Sequence, residues 1–92
     1  MLTFAYHRMA FPDNLRRIRL EQFLSQAELA RRSGVHPLTV TRLENGKTAP
    51  STRTVRALAQ ALSVVPSDLA TPEEVAEADR LHAPRGARGR GD

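Results

Sequence analysis

The amino-acid sequence predicts a small all-α domain, and residues 26–45 carry most of that prediction. Ser25 and Glu28 form a capping box at the start of one helix, because the serine hydroxyl accepts an amide hydrogen while the glutamate reaches back to the serine amide. Gly34 ends that helix, since so rapid a chain reversal needs a positive φ that glycine adopts without a Cβ clash. Pro37 then fits the first turn of a second helix. The stretch therefore predicts two helices joined by a tight turn.

Apolar residues at helical spacing predict the other helices. Asp13 or Asn14 is expected to cap the first helix. A fourth helix is expected to begin at Ser51, and a short fifth helix to run from Pro66 to about Ala70. The predicted inward-facing residues of the first four helices are Leu15 and Ile18, then Leu29 and Ala30, then Val40 and Leu43, and finally Val55, Leu58, Ala59 and Leu62.

The two ends of the chain differ from the predicted domain, which spans residues 13–70. Residues 1–12 are an N-terminal extension that the sequence leaves open as a short strand, a flexible arm or residues upstream of a start at Met9. Residues 71–83 predict an extra helix, and its few apolar residues mean that it either docks loosely or holds a partner subunit. Residues 84–92 are rich in arginine and glycine, and we expect a disordered tail there.

The composition excludes several classes of site. The 92-residue chain has no cysteine, and His7, His36 and His82 are too scattered to form a ligand set, so we expect no metal site. The sequence shows no nucleophile with a nearby base and no glycine-rich phosphate loop, so we predict neither an enzyme nor a cofactor. A membrane span needs about 18 consecutive apolar residues, and no such stretch or signal peptide is present. We therefore expect a cytoplasmic protein that does not contact membranes.

Positive charge is concentrated in the predicted domain. The formal net charge is +4, and residues 1–70 contain ten Lys/Arg against five Asp/Glu, whereas residues 71–92 contain four against five. A basic domain attracts phosphates whatever the base sequence. The aromatic residues all precede the helical pair, and they are Phe4, Tyr6, Phe11 and Phe23. So few rings argue against stacking on single strands, and the expected nucleic-acid partner is a duplex.

Three segments resemble the Cro/CI (XRE-type) helix-turn-helix family. They lie between Asn14 and Ala70 and read NLRRIRLEQFLSQAELARRSGV, RLENGKTAPS and TVRALAQALSVVPSDLA. The resemblance implies a lambda-repressor-like domain of five helices that binds double-stranded DNA, to which the short C-terminal helix is added. Phe23 and Ser63 depart from the family, because they replace glycines that commonly end these helices. The first turn must therefore close differently, or Phe23 must pack on the outside.

The third helix, residues 37–45, is expected to enter the major groove and read bases there. Arg42 is its main base-reading residue, because this outward guanidinium can donate to both O6 and N7 of guanine. Thr39 and Thr41 can donate to bases or phosphates, and Leu38 can contact a thymine methyl group. For each threonine the alternative is an ordinary solvated position on the helix surface.

The start of this helix departs from the family pattern. His36, Pro37 and Leu38 stand where many relatives carry amides or other polar groups. Fewer bidentate base contacts are then available, so either DNA shape contributes to recognition or part of the surface contacts protein.

By the same resemblance, residues beside the helical pair contact the DNA backbone, and they are Ser25, Gln26, Asn45, Lys47 and Thr48. His36 is expected to cap the third helix or donate to a phosphate, and a pH switch is the alternative. Arg19 is expected to pair with Glu44 and orient the third helix, while its remaining donors reach a phosphate.

Two functions fit these expectations. The first is a sequence-specific transcriptional regulator, a repressor that binds a palindromic operator as a homodimer through the fifth helix and residues 71–82. The alternative is an antitoxin that binds its own promoter and, through its termini, a toxin protein. If the domain binds no nucleic acid, the expectation is a small helical bundle that serves as a protein-binding module.

Overall fold

The structure is a computed structural model that describes residues 10–80. Helices make up most of this part of the chain. The elements in chain order are α1 (Ala10–Glu21), α2 (Gln26–Ser33), α3 (Pro37–Glu44), α4 (Thr52–Leu62), a 3-10 helix (Pro66–Asp68) and α5 (residues 72–80). The predicted all-α fold is confirmed. The predicted fifth helix is the 3-10 helix, and the predicted sixth helix is α5.

The first helix begins earlier than the sequence predicted. It starts at Ala10, so the expected cap at Asp13 or Asn14 is wrong. Phe11 is 1% exposed, and its amide donates to the Glu74 carboxylate at 3.2 Å. Burial of this ring and a carboxylate at the positive end of the helix dipole account for the earlier start. The last three residues of the expected extension therefore belong to α1.

One apolar core lies between the first four helices. Helix α3 packs against α1 and α2, and α4 packs against α2 and the 3-10 helix. All the predicted core residues are buried, and four further residues join them, which are Phe11, Leu24, Leu69 and Ala70. Because Val40 and Leu43 lie in this core, the opposite face of α3 is directed outward.

The turn between α2 and α3 forms as predicted. Ser25 Oγ accepts the Glu28 amide at 3.0 Å, and Glu28 Oε1 accepts the Ser25 amide at 3.2 Å, which confirms the capping box. Gly34 ends α2 with a φ of 77°, in the left-handed region. Pro37 occupies the first turn of α3. These local interactions set where α3 leaves α2.

Two other turns close in the left-handed region without glycine. Phe23 has a φ of 57° and Ser63 a φ of 59°. The Phe23 ring is 93% exposed, so the α1–α2 turn keeps a backbone conformation suited to glycine and directs the ring into solvent. The expectation that Phe23 lies on the outside is confirmed.

Helix α5 is docked on the domain. Ala78 is fully buried, and a capping box of Thr71 and Glu74 begins the helix, with the Thr71 amide 2.8 Å from Glu74 Oε1. Asp79 accepts hydrogen bonds from the amide and the hydroxyl of Thr52, the first residue of α4. Since carboxylates are favourable at helix N-termini, Glu74 and Asp79 fasten α5 to α1 and α4.

Several expectations concern other parts of the chain. The extension upstream of Ala10, the end of the sixth helix near His82 and the tail at residues 84–92 lie outside the described residues. Within residues 10–80, no helix is long and apolar enough to cross a membrane.

Candidate nucleic-acid interface

The outward face of α3 is exposed to different degrees at the four positions predicted to read bases. Leu38 is 49% exposed and Arg42 is exposed, whereas Thr39 and Thr41 are half-buried. The structure therefore presents an apolar side chain and a guanidinium on one surface, one helical turn apart.

A buried ion pair joins the end of α3 to α1. Arg19 Nε lies 2.6 Å from Glu44 Oε2 and Arg19 Nη2 lies 2.9 Å from Glu44 Oε1, so the predicted pair is confirmed in a bidentate geometry. Their side chains are 9% and 3% exposed. The hydrogen bonds to Glu44 raise the pKa of Arg19, against the desolvation that burial imposes. The third nitrogen, Nη1, donates to the Leu24 carbonyl at 2.8 Å. All three guanidinium nitrogens thus bind within the fold.

The pair continues into a hydrogen-bonded chain that sequence reasoning missed. Gln26 Nε2 donates to Glu44 Oε1 at 2.9 Å, and the Thr41 hydroxyl lies 2.9 Å from Gln26 Oε1. The same hydroxyl lies 3.2 Å from the Pro37 carbonyl, one turn earlier in α3. The Thr41 hydrogen is therefore used inside the domain, which leaves its oxygen only as an acceptor. The spacing of Gln26 and Thr41 in the sequence contains no signal for this contact.

His36 caps α3. Its Nδ1 accepts the Leu38 amide at 3.1 Å, which confirms the predicted capping role. Because Nδ1 accepts this hydrogen bond, Nε2 is the ring nitrogen that can donate. The exposed ring therefore has a donor available at the start of α3.

The link after α3 places three predicted backbone-contacting residues in solvent. Asn45, Lys47 and Thr48 are all exposed, and the Lys47 amide donates to the Arg42 carbonyl at 2.9 Å. Gly46 between them has a φ of 72°. This closed turn fixes the link directly to the last turn of α3.

A hollow of about 230 Å³ lies between α3 and the start of α4. Hydroxyl-bearing side chains line most of it, and its lining residues are Thr39, Leu43, Thr48, Ala49, Ser51 and Thr54. Thr39 and Thr48, predicted separately as a base contact and a phosphate contact, are thus brought together.

The charge of this surface is positive. Within residues 37–48 the ionisable side chains are Arg42, Glu44 and Lys47, and Glu44 is neutralised by Arg19. Both remaining cations are exposed. On the other side, Ser25 is exposed and Gln26 is half-buried at the N-terminus of α2, where the helix dipole also favours an anion.

Comparison with known protein families and sequences gives consistent results. A family model described as helix-turn-helix matches residues 15–69. An uncharacterized HTH-type transcriptional regulator of Sinorhizobium fredii (strain NBRC 101917 / NGR234), y4dJ, is 39% identical over 62 residues, which cover 67% of this chain and 80% of that protein.

Solved structures of regulators share the fold. The restriction-modification controller protein C.AhdI from Aeromonas hydrophila has a TM-score of 0.65 and 34% identity, covering 70% of this chain and 98% of its own. The clp gene regulator ClgR from Corynebacterium glutamicum has a TM-score of 0.63 and 28% identity, covering 90% and 86%. An HTH_3 family transcriptional regulator from Vibrio cholerae, with a TM-score of 0.65 and 22% identity, shares the fold over 68% of this chain and 35% of its own.

Proposed function

Because the chain belongs to the XRE-type helix-turn-helix family of DNA-binding transcriptional regulators, we propose that α3 reads double-stranded DNA in the major groove and that the protein is a repressor. This family is one of DNA-binding regulators and not a class of enzymes. The observation that carries the proposal is the exposed Arg42 and Leu38 surface of α3, held in a fixed orientation by the buried Arg19–Glu44 pair.

Base reading depends mainly on Arg42 and Leu38. A guanidinium matches the two acceptors of guanine, and an apolar side chain matches the thymine methyl group. Thr39 is half-buried and lines one hollow with Thr48, and we propose that it contacts the edge of the major groove. Thr41 has a lesser role, because its only hydrogen is bound to acceptors within the domain. With so few base contacts, sequence-dependent DNA shape contributes to the choice of site.

Backbone contacts flank the reading surface on both sides. Ser25 and Gln26 bind a phosphate at the start of α2, and His36 donates to a phosphate at the start of α3 through Nε2. On the other side the exposed link residues bind the backbone, and these are Asn45, Lys47 and Thr48. We assign Arg19 a positioning role and not a phosphate contact, because three of its five N–H donors bind Glu44 and Leu24 and its side chain is only 9% exposed.

Two copies of the chain are proposed to bind a palindromic operator. One recognition helix contacts too few base pairs for useful affinity, and half-sites lie about 34 Å apart along one face of DNA. An apolar groove of about 280 Å³ lies between α4, the 3-10 helix and α5, and it supports an interface at this position. The residues that line the groove include Val55, Pro66, Ala70, Pro72 and Val75. Val65, 57% exposed, lies directly before this groove in the chain.

Selection of binding sites from random double-stranded DNA tests the proposal. The purified protein is expected to enrich a palindrome with half-sites one helical turn apart. The control is the double variant Arg42→Ala with Lys47→Ala, which changes only exposed side chains and should enrich the palindrome much more weakly. Failure of the unmodified protein to enrich any sequence would contradict DNA reading and favour a protein-binding role.

The repressor role requires a second measurement. A dimer that covers an operator overlapping a promoter excludes polymerase from the same DNA. A reporter gene with the selected operator at the promoter should therefore lose expression when the protein is present. Increased expression from that reporter would show an activator instead.

A further inference from the structure

The α1–α2 turn contains a residue, Phe23, whose backbone conformation and solvent exposure both disfavour the folded state. Phe23 has a φ of 57°, where a Cβ atom is strained, and bulky side chains rarely adopt this conformation. Its ring is 93% exposed, so no packing within the described residues offsets the strain or the hydration of apolar surface. A strained residue of this kind points to a function at the position.

Ser63 provides the internal comparison. It has nearly the same backbone conformation, with a φ of 59°, and like Phe23 it ends a helix. Among residues 10–80 these are the two non-glycine residues with positive φ. Ser63 exposes only a small polar side chain. The two turns therefore have similar backbones, and Phe23 differs from Ser63 in presenting an exposed aromatic ring.

The backbone on both sides of Phe23 is anchored. Gln22 Nε2 donates to the Leu62 carbonyl at 2.8 Å, which ties the turn to the end of α4. Leu24 is buried, and its carbonyl accepts Arg19 Nη1, so it belongs to the same chain of contacts that positions α3. The ring thus projects from a rigid point. Glu21, the nearest acidic residue in sequence, is paired with Arg17 at 3.4 Å.

Phe23 also lies beside the proposed phosphate contact. Ser25 is two residues further along, so the two Cα atoms are at most about 7 Å apart. A DNA strand whose phosphate is bound at the N-terminus of α2 would therefore pass close to the Phe23 backbone. Next to that phosphate, the deoxyribose has an apolar carbon surface against which an uncharged ring can pack.

We propose that Phe23 packs against the DNA backbone sugar adjacent to the phosphate bound at Ser25 and Gln26. The inference depends on the proposed function, because it assumes DNA on this face. The contact adds affinity without base preference. It also releases no counterions, since the ring is neutral.

The variants Phe23→Gly and Phe23→Ala test the proposal. Both remove the ring, and only glycine relieves the backbone strain. We expect each to weaken binding to preferred and random DNA about tenfold, in line with the loss of one buried apolar contact. The slope of log affinity against log salt should not change. Thermal unfolding should show Phe23→Gly to be more stable than the unmodified protein.

The matched control is Ser63→Gly, which relieves the same backbone conformation away from α2. It should raise the unfolding temperature and leave DNA affinity unchanged. Unaltered affinity of both Phe23 variants would overturn the inference, and so would a lost affinity accompanied by a smaller salt slope. If the unmodified protein itself bound no DNA, the proposed function would fail instead.

Discussion

Two exposed cations, Arg42 and Lys47, lie on consecutive elements of the proposed DNA face. Arg42 belongs to α3, which enters the groove, whereas Lys47 belongs to the link that follows the backbone. Base reading and phosphate attraction are separate contributions to the binding free energy. The two residues should therefore be distinguishable by which DNA each one affects.

Replacing Arg42 with alanine should weaken binding to the preferred site by about 1 to 3 kcal/mol, because the guanine contacts are lost. Affinity for random DNA should stay nearly the same. Titration of both DNAs with the variant measures the two effects. Equal weakening on both would make Arg42 a phosphate contact, and specificity would then come mainly from DNA shape.

Lys47→Ala should have the opposite pattern. It should weaken preferred and random DNA alike and reduce the slope of log affinity against log salt by about one unit per lost phosphate contact in each subunit. Titrations at several salt concentrations give that slope. An unchanged slope would remove Lys47 from the backbone contacts.

At the scale of elements, the orientation of α3 depends on contacts with residues of α1 and α2. Glu44 at its end binds Arg19 of α1 and Gln26 of α2, so three helices meet at one carboxylate. The raised pKa of Arg19 means that the stabilisation is fully present below the ordinary arginine pKa and is lost only as the pH rises through the raised value. Arg19 therefore stays charged at neutral pH, and its contact with Glu44 persists there.

The variant Arg19→Met should lower the free energy of unfolding by about 3 to 5 kcal/mol, because it leaves Glu44 buried without its cation. The double variant Arg19→Met with Glu44→Leu should regain most of that stability, since both charges are removed. We expect its DNA affinity to stay low, because the bidentate contact that orients α3 is missing. Urea unfolding and DNA titration measure the two properties. A double variant that bound DNA normally would show that the pair only stabilises the fold.

At the scale of the whole molecule, α5 has to be considered together with the domain. It contributes buried Ala78 and carboxylates at the starts of α1 and α4, so removing it would damage the fold as well as any interface. A truncation at Ala70 therefore cannot test dimerisation by itself. A substitution at an exposed position beside the apolar groove is the cleaner experiment.

Val65→Glu is that substitution. Because Val65 is 57% exposed, the change should leave the monomer folded, while a charge at the proposed interface should prevent association. Analytical ultracentrifugation should show a monomer, and cooperative binding to paired half-sites should be lost. Leu20→Glu is the matched control for the mass measurement, since Leu20 is 53% exposed on α1. If Val65→Glu and the unmodified protein had the same mass and cooperativity, the interface would lie elsewhere.

The local pattern of the sequence was enough to predict the helical class, the α2–α3 turn and the buried residues of the first four helices. These features depend on short-range rules, namely capping, the left-handed preference of glycine and apolar residues at helical spacing. The Arg19–Glu44 pair was predicted only through the family resemblance. The early start of α1 was not predicted, because it depends on Glu74, 63 residues away.

The contacts that decide the roles of the site residues come from tertiary structure. The sequence by itself determined that Thr41 would lie on the outward side of α3, and its family resemblance placed Gln26 and Arg19 near the same surface. Only the packing of α1, α2 and α3 placed the side chains of all three in one hydrogen-bonded chain through Glu44, which uses three Arg19 donors and the Thr41 hydrogen inside the domain. The physical reason is that side-chain hydrogen bonds between helices depend on distances of 2.6–2.9 Å, which are set by how the whole core packs and not by spacing along the chain.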